Sequence, residues 1–236
     1  MTRRAMPIVG ARTTTVTAAI HRPTTASGRC ALVVPGAGGD LDTDAVVALA
    51  EVLASLGVTV VRANLPFAEL GRRAPRAEAS LADAVAVVHG AMAEVANDGL
   101  QAGGWVLAGR SYGGRVLSMV WADDRRIAGR VAGLLFSGYP LHPPGRPDRC
   151  RVDHWPRLTA DCLFVQGERD PFGSPDELGE HTPQLGGSAT VCTVRGGDHS
   201  LRVTRAASVD GRAVPPAASM HACRDDVARW LAALGR

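Results

Sequence analysis

Gly109-Arg110-Ser111-Tyr112-Gly113 decides how the rest of this chain is read. It follows an apolar run, Trp105-Val106-Leu107-Ala108, and precedes Arg115-Val116-Leu117-Ser118-Met119-Val120-Trp121, which has a helical pattern. Strand, G-x-S-x-G, helix is the context in which the motif forms a sharp turn with an exposed serine hydroxyl. The flanking glycines are required because strand and helix backbones approach too closely there for side chains. A bare five-residue match says little in a chain with 27 glycines. The surrounding sequence must also supply an acid, a base and hydrogen-bond donors for a developing oxyanion.

Working outward, short apolar runs alternate with helical stripes. Strands are predicted at 30–34, 58–61, 104–109, 130–136, 161–166 and 189–194; the run at 30–34 is continuous in hydrophobicity, as expected for a strand covered on both faces. Between them, Val46, Leu49, Ala50, Leu53 and Leu56 recur at helical spacing and stop at Gly57. A second stripe, Leu81, Ala84, Val85, Val88, Met92 and Val95, follows Ser80-Leu81-Ala82-Asp83, which resembles a capping box. Ser174-Pro175-Asp176-Glu177 places an N-cap serine, a proline at N1 and a glutamate at N3. Val227, Trp230, Leu231 and Leu234 mark a closing helix, reached through a loop with a hairpin-like turn at 209–212. Residues 1–29, with the β-prone stretch 13–20, are expected to add an edge strand or hairpin. The pattern predicts an α/β fold: one domain over 1–236, with a mostly parallel, doubly wound sheet flanked by helices and no large lid domain.

Composition narrows the function classes. Hydrophobic residues make up 46% and charged residues 21% of the chain, as in an ordinary globule. No long uncharged apolar stretch is evident, so no membrane partner is expected. Arg3-Arg4 faintly suggests a twin-arginine signal, but Arg12 interrupts the following apolar segment, and a cytoplasmic location is expected. The five cysteines are odd in number and contain no C-x-x-C pair, which points to neither a disulfide framework nor a metal site. Cys162 and Cys192 lie in strand-like runs and read as buried thiols. A net charge of +3, with arginines dispersed among acids, is not a nucleic-acid stripe. All 26 basic residues are arginine, which excludes chemistry needing a lysine amine.

In a doubly wound sheet, ligands bind beyond the C-terminal ends of the strands. Ser111 follows the central strand, Asp170 the strand at 161–166 and His199 the strand at 190–194, so all three are predicted on one rim. The serine hydroxyl is a poor nucleophile until a base takes its proton, a role for His199. Asp170 would fix the imidazole tautomer and stabilise the imidazolium. Among rival acids, Asp161 begins its strand and falls on the opposite rim, Asp176 is explained as a helix N-terminal charge, and Asp198 adjoins His199 too closely to orient its ring.

His142 follows a strand on the correct rim and is a candidate for lining the pocket or binding substrate; the remaining histidines read as surface or structural residues. Two N–H donors are needed for the oxyanion, and those of Tyr112 and of Ala37, in Pro35-Gly36-Ala37-Gly38-Gly39, are the candidates. Gly38 in the same loop, and Arg110 beside the nucleophile, are candidate substrate contacts. Arg110 and Arg115 would favour an acidic acyl group, or else point to solvent. A dinucleotide fingerprint starting at Gly36 fails at Leu41, where a small residue is needed, and at Arg62, where an acid is preferred. No cofactor and no metal are expected. The pocket is expected from 66–79, 138–158 and 200–217, and the oligomeric state is not encoded legibly.

Four motifs in order — 109–115, 138–145, 167–174 and 196–201 — resemble a dienelactone-hydrolase-like group of α/β-hydrolases that includes testis-expressed protein thirty and the third subunit of the NSL chromatin complex. The resemblance covers about residues 30 to 235. It implies a Ser111, Asp170, His199 triad, a small-molecule acyl substrate and serine where dienelactone hydrolases proper carry cysteine. Many members open the oxyanion loop with His-Gly, where Pro35-Gly36 stands here. Because some members serve as complex subunits, a catalytically silent interaction subunit is the alternative expectation.

Overall fold

The computed structural model describes residues 1–99 and 103–235. Eight strands form one sheet: β1 (Thr2–Pro7), β2 (Thr15–His21), β3 (Cys30–Val34), β4 (Thr59–Ala63), β5 (Trp105–Arg110), β6 (Val131–Ser137), β7 (Asp161–Gly167) and β8 (Ala189–Val194). The helices are α1 (Asp44–Ser55), α2 (Pro66–Glu69), α3 (Leu81–Asn97), α4 (Tyr112–Asp123), α5 (Arg125–Ala128), α6 (Pro175–His181), α7 (Pro216–Ala222) and α8 (Arg224–Ala233). Strand order is β1-β2-β4-β3-β5-β6-β7-β8, with β3 to β8 parallel and the β1–β2 hairpin antiparallel at one edge. This is the mostly parallel, doubly wound sheet that the alternation of runs predicts, in the α/β-hydrolase arrangement that the resemblance implies.

The core lies in two layers, one on each side of the sheet. Helices α3 and α4 bury apolar stripes against one face, while α1, α7 and α8 cover the other. β3 and β4 are buried at every position, which explains the unbroken hydrophobicity of β3, while β4 buries Thr59 and Arg62 as well. β8, the far edge, is covered less completely, so Cys192 is half-buried where a fully buried thiol was expected; Cys162, one strand further in, is buried. Arg3 and Arg4 belong to edge strand β1 and pair with Asp42 (2.7 Å) and Glu94 (3.0 Å).

One local expectation is revised. Ser174 does form a capping box with Glu177. Ser80 does not cap α3: a 3-10 turn precedes the helix, the Ser80 hydroxyl accepts from Tyr112 Oη (2.7 Å), and Asp83 accepts from the Arg12 N–H (3.0 Å). The helical stretch Ala77–Asn97 has the length and mean hydropathy of a membrane-crossing helix but carries Glu78, Asp83 and Glu94. In the fold its apolar positions, among them Val87, Val88, Ala91 and Val95, are packed into the core.

Residues 138–158, which show no sequence period, are fastened by aromatic packing. Tyr139 packs against Phe136 (ring centroids 5.1 Å apart) and Trp155 (5.5 Å), and Trp155 Nε1 donates to Tyr139 Oη (3.1 Å). Trp155 and Tyr139 are fully buried. Side chains of this size dominate local burial energetics, so the segment has a fixed course over the rim despite having almost no regular structure.

Candidate active site

β3 and β5 lie side by side at the centre of the sheet, with Val34 opposite Gly109. Helices leave them toward opposite faces: α1 after β3, α4 after β5. The two loops therefore diverge and open a crevice at the strand ends, the place where doubly wound sheets bind ligands. Ser111 sits there with φ 49° and ψ −118°, a conformation costly for a residue with a side chain and sustained only by its surroundings. The surroundings are tight. A Cβ on Gly109 would collide with the backbone of Gly114, and one on Gly113 with the carbonyl of Pro35. The Ser111 N–H donates to Ser137 O (2.9 Å) and its carbonyl accepts from the Arg115 N–H (3.1 Å).

The loop after β8 brings His199 to this serine, with Nε2 2.9 Å from Ser111 Oγ. On the other side of the ring, Nδ1 lies 2.7 Å from Asp170 Oδ2. The Asp170 side chain is wholly inaccessible. Its Oδ1 accepts from the Phe172 N–H (2.8 Å) and its Oδ2 also from Gln166 Nε2 (2.8 Å). A buried carboxylate with this many hydrogen-bond donors is held firmly in place. With Asp170 accepting, Nδ1 carries the hydrogen and Nε2 presents a lone pair toward the serine.

Asp198, the sequence neighbour of the histidine, turns away. Its Oδ1 accepts from the Ser200 N–H (2.8 Å), the Ser200 hydroxyl (2.6 Å) and the Arg202 N–H (3.0 Å). Burial pushes this carboxyl upward, but those hydrogen bonds outweigh it and hold the group below its ordinary value. Asp161 binds the Ser188 hydroxyl at the far end of β7.

Ala37 and Tyr112 border, with Ser111, an open cleft of about 590 Å³. The start of α4 faces the same spot, and its free N–H groups favour developing negative charge. Pro140 and Phe172 line it as well. The Phe172 ring lies against the imidazole, centroids 4.2 Å apart and tilted by 34°. The expected wall from 200–217 is replaced by Phe172, while the other two expected segments contribute.

Three of the residues expected to contact substrate stand elsewhere. His142 is buried, with Nδ1 2.9 Å from Pro143 O and Nε2 3.2 Å from Glu177 Oε1; it braces its loop against α6 because its strand-end position does not dictate where the ring points. Gly38 lies in an adjoining depression with Asp40 and Phe67 that meets the cleft at Ala37. The Arg110 guanidinium is taken up internally: NH2 donates to His199 O (2.6 Å), and NH1 donates to Ser137 O (3.3 Å) and lies 3.3 Å from His199 Nε2. Burial pulls Arg110 below its ordinary value, opposed by the charges of Asp170 and Asp198.

Gln166 and Phe172 were missed. Gln166 is fully buried, and besides Asp170 its amide donates to Gly173 O (2.7 Å) and accepts from the Tyr139 N–H (2.8 Å). A lone amide closing the apolar run Leu163-Phe164-Val165 was the available signal. Among the described residues, no three His, Cys, Asp or Glu side chains are grouped to hold a metal ion.

With this geometry in view, comparisons with known proteins become informative. The fold is similar to dienelactone hydrolase from Anabaena variabilis (TM-score 0.71, 16% identity, 100% of this chain and 99% of that one). It is similar also to Est1E from Butyrivibrio proteoclasticus with ferulic acid bound (0.70, 16%, 97% and 99%). A lidless serine hydrolase from Xanthomonas campestris matches at TM-score 0.64 and 20% identity over 84% and 85% of the chains. Among curated proteins no sequence matches. The model of the alpha/beta hydrolase domain matches residues 28–224, most of the chain, so this protein belongs to the alpha/beta hydrolase domain family.

Proposed function

We propose that the chain is a serine hydrolase acting on an ester, thioester or related acyl compound. The observation that carries the reading is the unbroken relay from Ser111 Oγ through His199 to the buried Asp170, at 2.9 and 2.7 Å, with the serine on a strained turn at the mouth of an open cleft. Ser111 Oγ attacks the acyl carbon while its proton passes to His199 Nε2. The carbonyl electrons move onto oxygen, which the N–H groups of Tyr112 and Ala37 receive. When the intermediate collapses, the bond to the alcohol or thiol breaks, and the leaving atom takes the proton back from Nε2. The acyl-serine is then cleaved by water, whose proton travels the same route, regenerating Ser111 and releasing a carboxylic acid. Asp170 stabilises the imidazolium in both halves.

Esterase and dienelactone hydrolase neighbours support hydrolysis as the class of reaction. On the four motifs alone, we place the chain in the branch with testis-expressed protein thirty and NSL subunit three. A fluorophosphonate probe tests the proposal: it should label the folded protein and fail to label Ser111→Ala. Absence of labelling on the folded wild type would overturn it in favour of an interaction subunit that keeps the fold without the chemistry.

A further inference from the structure

The cleft beside Ser111 is strongly one-sided in charge. Arg76, Arg115, Arg149 and Arg151 line it, against a single acid, Glu78. Arg115 NH2 donates to Glu78 Oε1 (2.8 Å), so one cation is answered internally. Arg115 Nε is nevertheless buried and has no partner among the described residues. Arg151 is half-buried, and among the described residues its side chain reaches only a carbonyl, Pro140 O (3.2 Å). Arg149 makes no side-chain hydrogen bond or ion pair among the described residues; with Arg115 and Arg151 it also lines an adjoining depression whose one acid is Asp153.

The cluster has a defined position relative to the nucleophile. Arg115 lies four residues, just over one turn, along α4 from Ser111, about 6 Å of helical rise. Arg149 and Arg151 face it from the loop that the Tyr139–Trp155 packing fixes. Burial holds Arg151 below its ordinary value, and the nearby Arg115 charge adds to that. Cations that outnumber their counter-charges in a partly desolvated cleft are complementary to an anion, and guanidinium forks suit planar or tetrahedral oxyanions.

Resting on the hydrolase reading, we infer that Arg115, Arg149 and Arg151 form a subsite for an anionic oxygen group on the substrate, at the end remote from the scissile bond. The substrate class is thus an acyl compound carrying a carboxylate or phosphate, and a plain fatty or aryl ester fills the cleft less well. The subsite is distinct from Arg110, whose guanidinium serves the His199 loop.

The test uses wild-type protein and ligands it cannot hydrolyse. Glutarate, 3-phosphonopropionate and neutral glutaramide are titrated calorimetrically at low ionic strength. One of the anions should bind at least about tenfold more tightly than glutaramide, with the margin shrinking in salt; the tighter anion identifies the head group as carboxylate or phosphate. Arg149→Gln/Arg151→Gln, checked for an unchanged melting curve, should reduce the margin to less than about threefold. Equal affinity of all three ligands, or a margin that survives the double substitution, overturns the subsite. Fluorophosphonate labelling of the same preparations separates this result from the parent proposal. Labelled protein without anion preference loses the subsite alone, and anion preference without labelling loses the hydrolase alone.

Discussion

Two loops leave the same rim of the sheet, each carrying a histidine paired with a carboxylate, and they do different things. After β8, His199 has Asp170 at 2.7 Å on one nitrogen and Ser111 at 2.9 Å on the other. After β6, His142 has Glu177 at 3.2 Å on one nitrogen and the carbonyl of Pro143 on the other. Asp170 is enclosed and has three hydrogen-bond donors, whereas Glu177 is partly exposed and already committed to the N-cap of α6. The Ser174 backbone N–H, more than burial or His142, sets the direction in which Glu177 is held, below its ordinary value. A histidine–carboxylate pair becomes a chemical relay only when its free nitrogen faces a reactive atom and an open cleft. Without that, it is a brace.

The largest test of this contrast removes the relay. Ser111→Ala and His199→Ala should each lower kcat/KM for an activated acyl ester by about 10⁴-fold or more while leaving thermal unfolding close to wild type. Asp170→Asn should cost roughly 10²- to 10⁴-fold in kcat, since the amide cannot stabilise an imidazolium. Asp198→Asn, which alters only a turn, should cost less than about fivefold, and a reversal of these two results would reassign the acid.

Next in size is the support beneath the relay. Gln166→Leu keeps the volume but strips Asp170, Gly173 and Tyr139 of hydrogen-bond partners. It should lower kcat about tenfold with little change in KM, and destabilise the protein by roughly 1–3 kcal/mol in denaturant titration.

The loop after β6 carries its own pH signature. His154, buried and near Ser118 Oγ (2.7 Å), is held down to about 4 by burial, then by the charges of Arg115 and Arg157. Its ordinary value is 6.5, so the unfolded chain binds the proton first as pH falls. Stability is whole above about 6.5 and is lost progressively down to about 4, by roughly 2–3 kcal/mol. Urea unfolding at pH 7 and pH 4.5 should show that loss, and His154→Gln should flatten it. The smallest effect belongs to the brace: His142→Gln should change kcat/KM by less than about threefold. A loss as large as that of His199→Ala would erase the distinction between the two loops.

Much of this was legible in the sequence, for physical reasons that also mark the boundary. Strands buried on both faces write themselves as apolar runs, and a parallel sheet puts their C-terminal ends together, so Ser111, Asp170 and His199 fall on one rim before any coordinates exist. Side-chain direction does not follow from rim position, which is why His142 and Arg110 were assigned to substrate and turned out to be occupied with protein. Gln166 was hidden because a buried amide is explained only by the backbone groups it meets, and Gly173 and Tyr139 come from separate loops. The pairing of Arg149 and Arg151 with Arg115 depends on Trp155 docking against Tyr139, a contact no local period announces. The Ser80 motif misled because the chain enters α3 through a tight turn, leaving its hydroxyl to Tyr112.

The strained turn at Ser111 ties one residue's backbone to distant parts of the chain. Neither β5 nor α4 alone would keep a serine at φ 49°; that backbone angle exists only once the Pro35 loop, β6 and the helix have closed around it. The turn is therefore a product of tertiary closure, and a disturbance in the Pro35 loop or in β6 reaches Ser111 without touching it. The backbone angle at this one serine thus carries information about the packing of the whole central sheet.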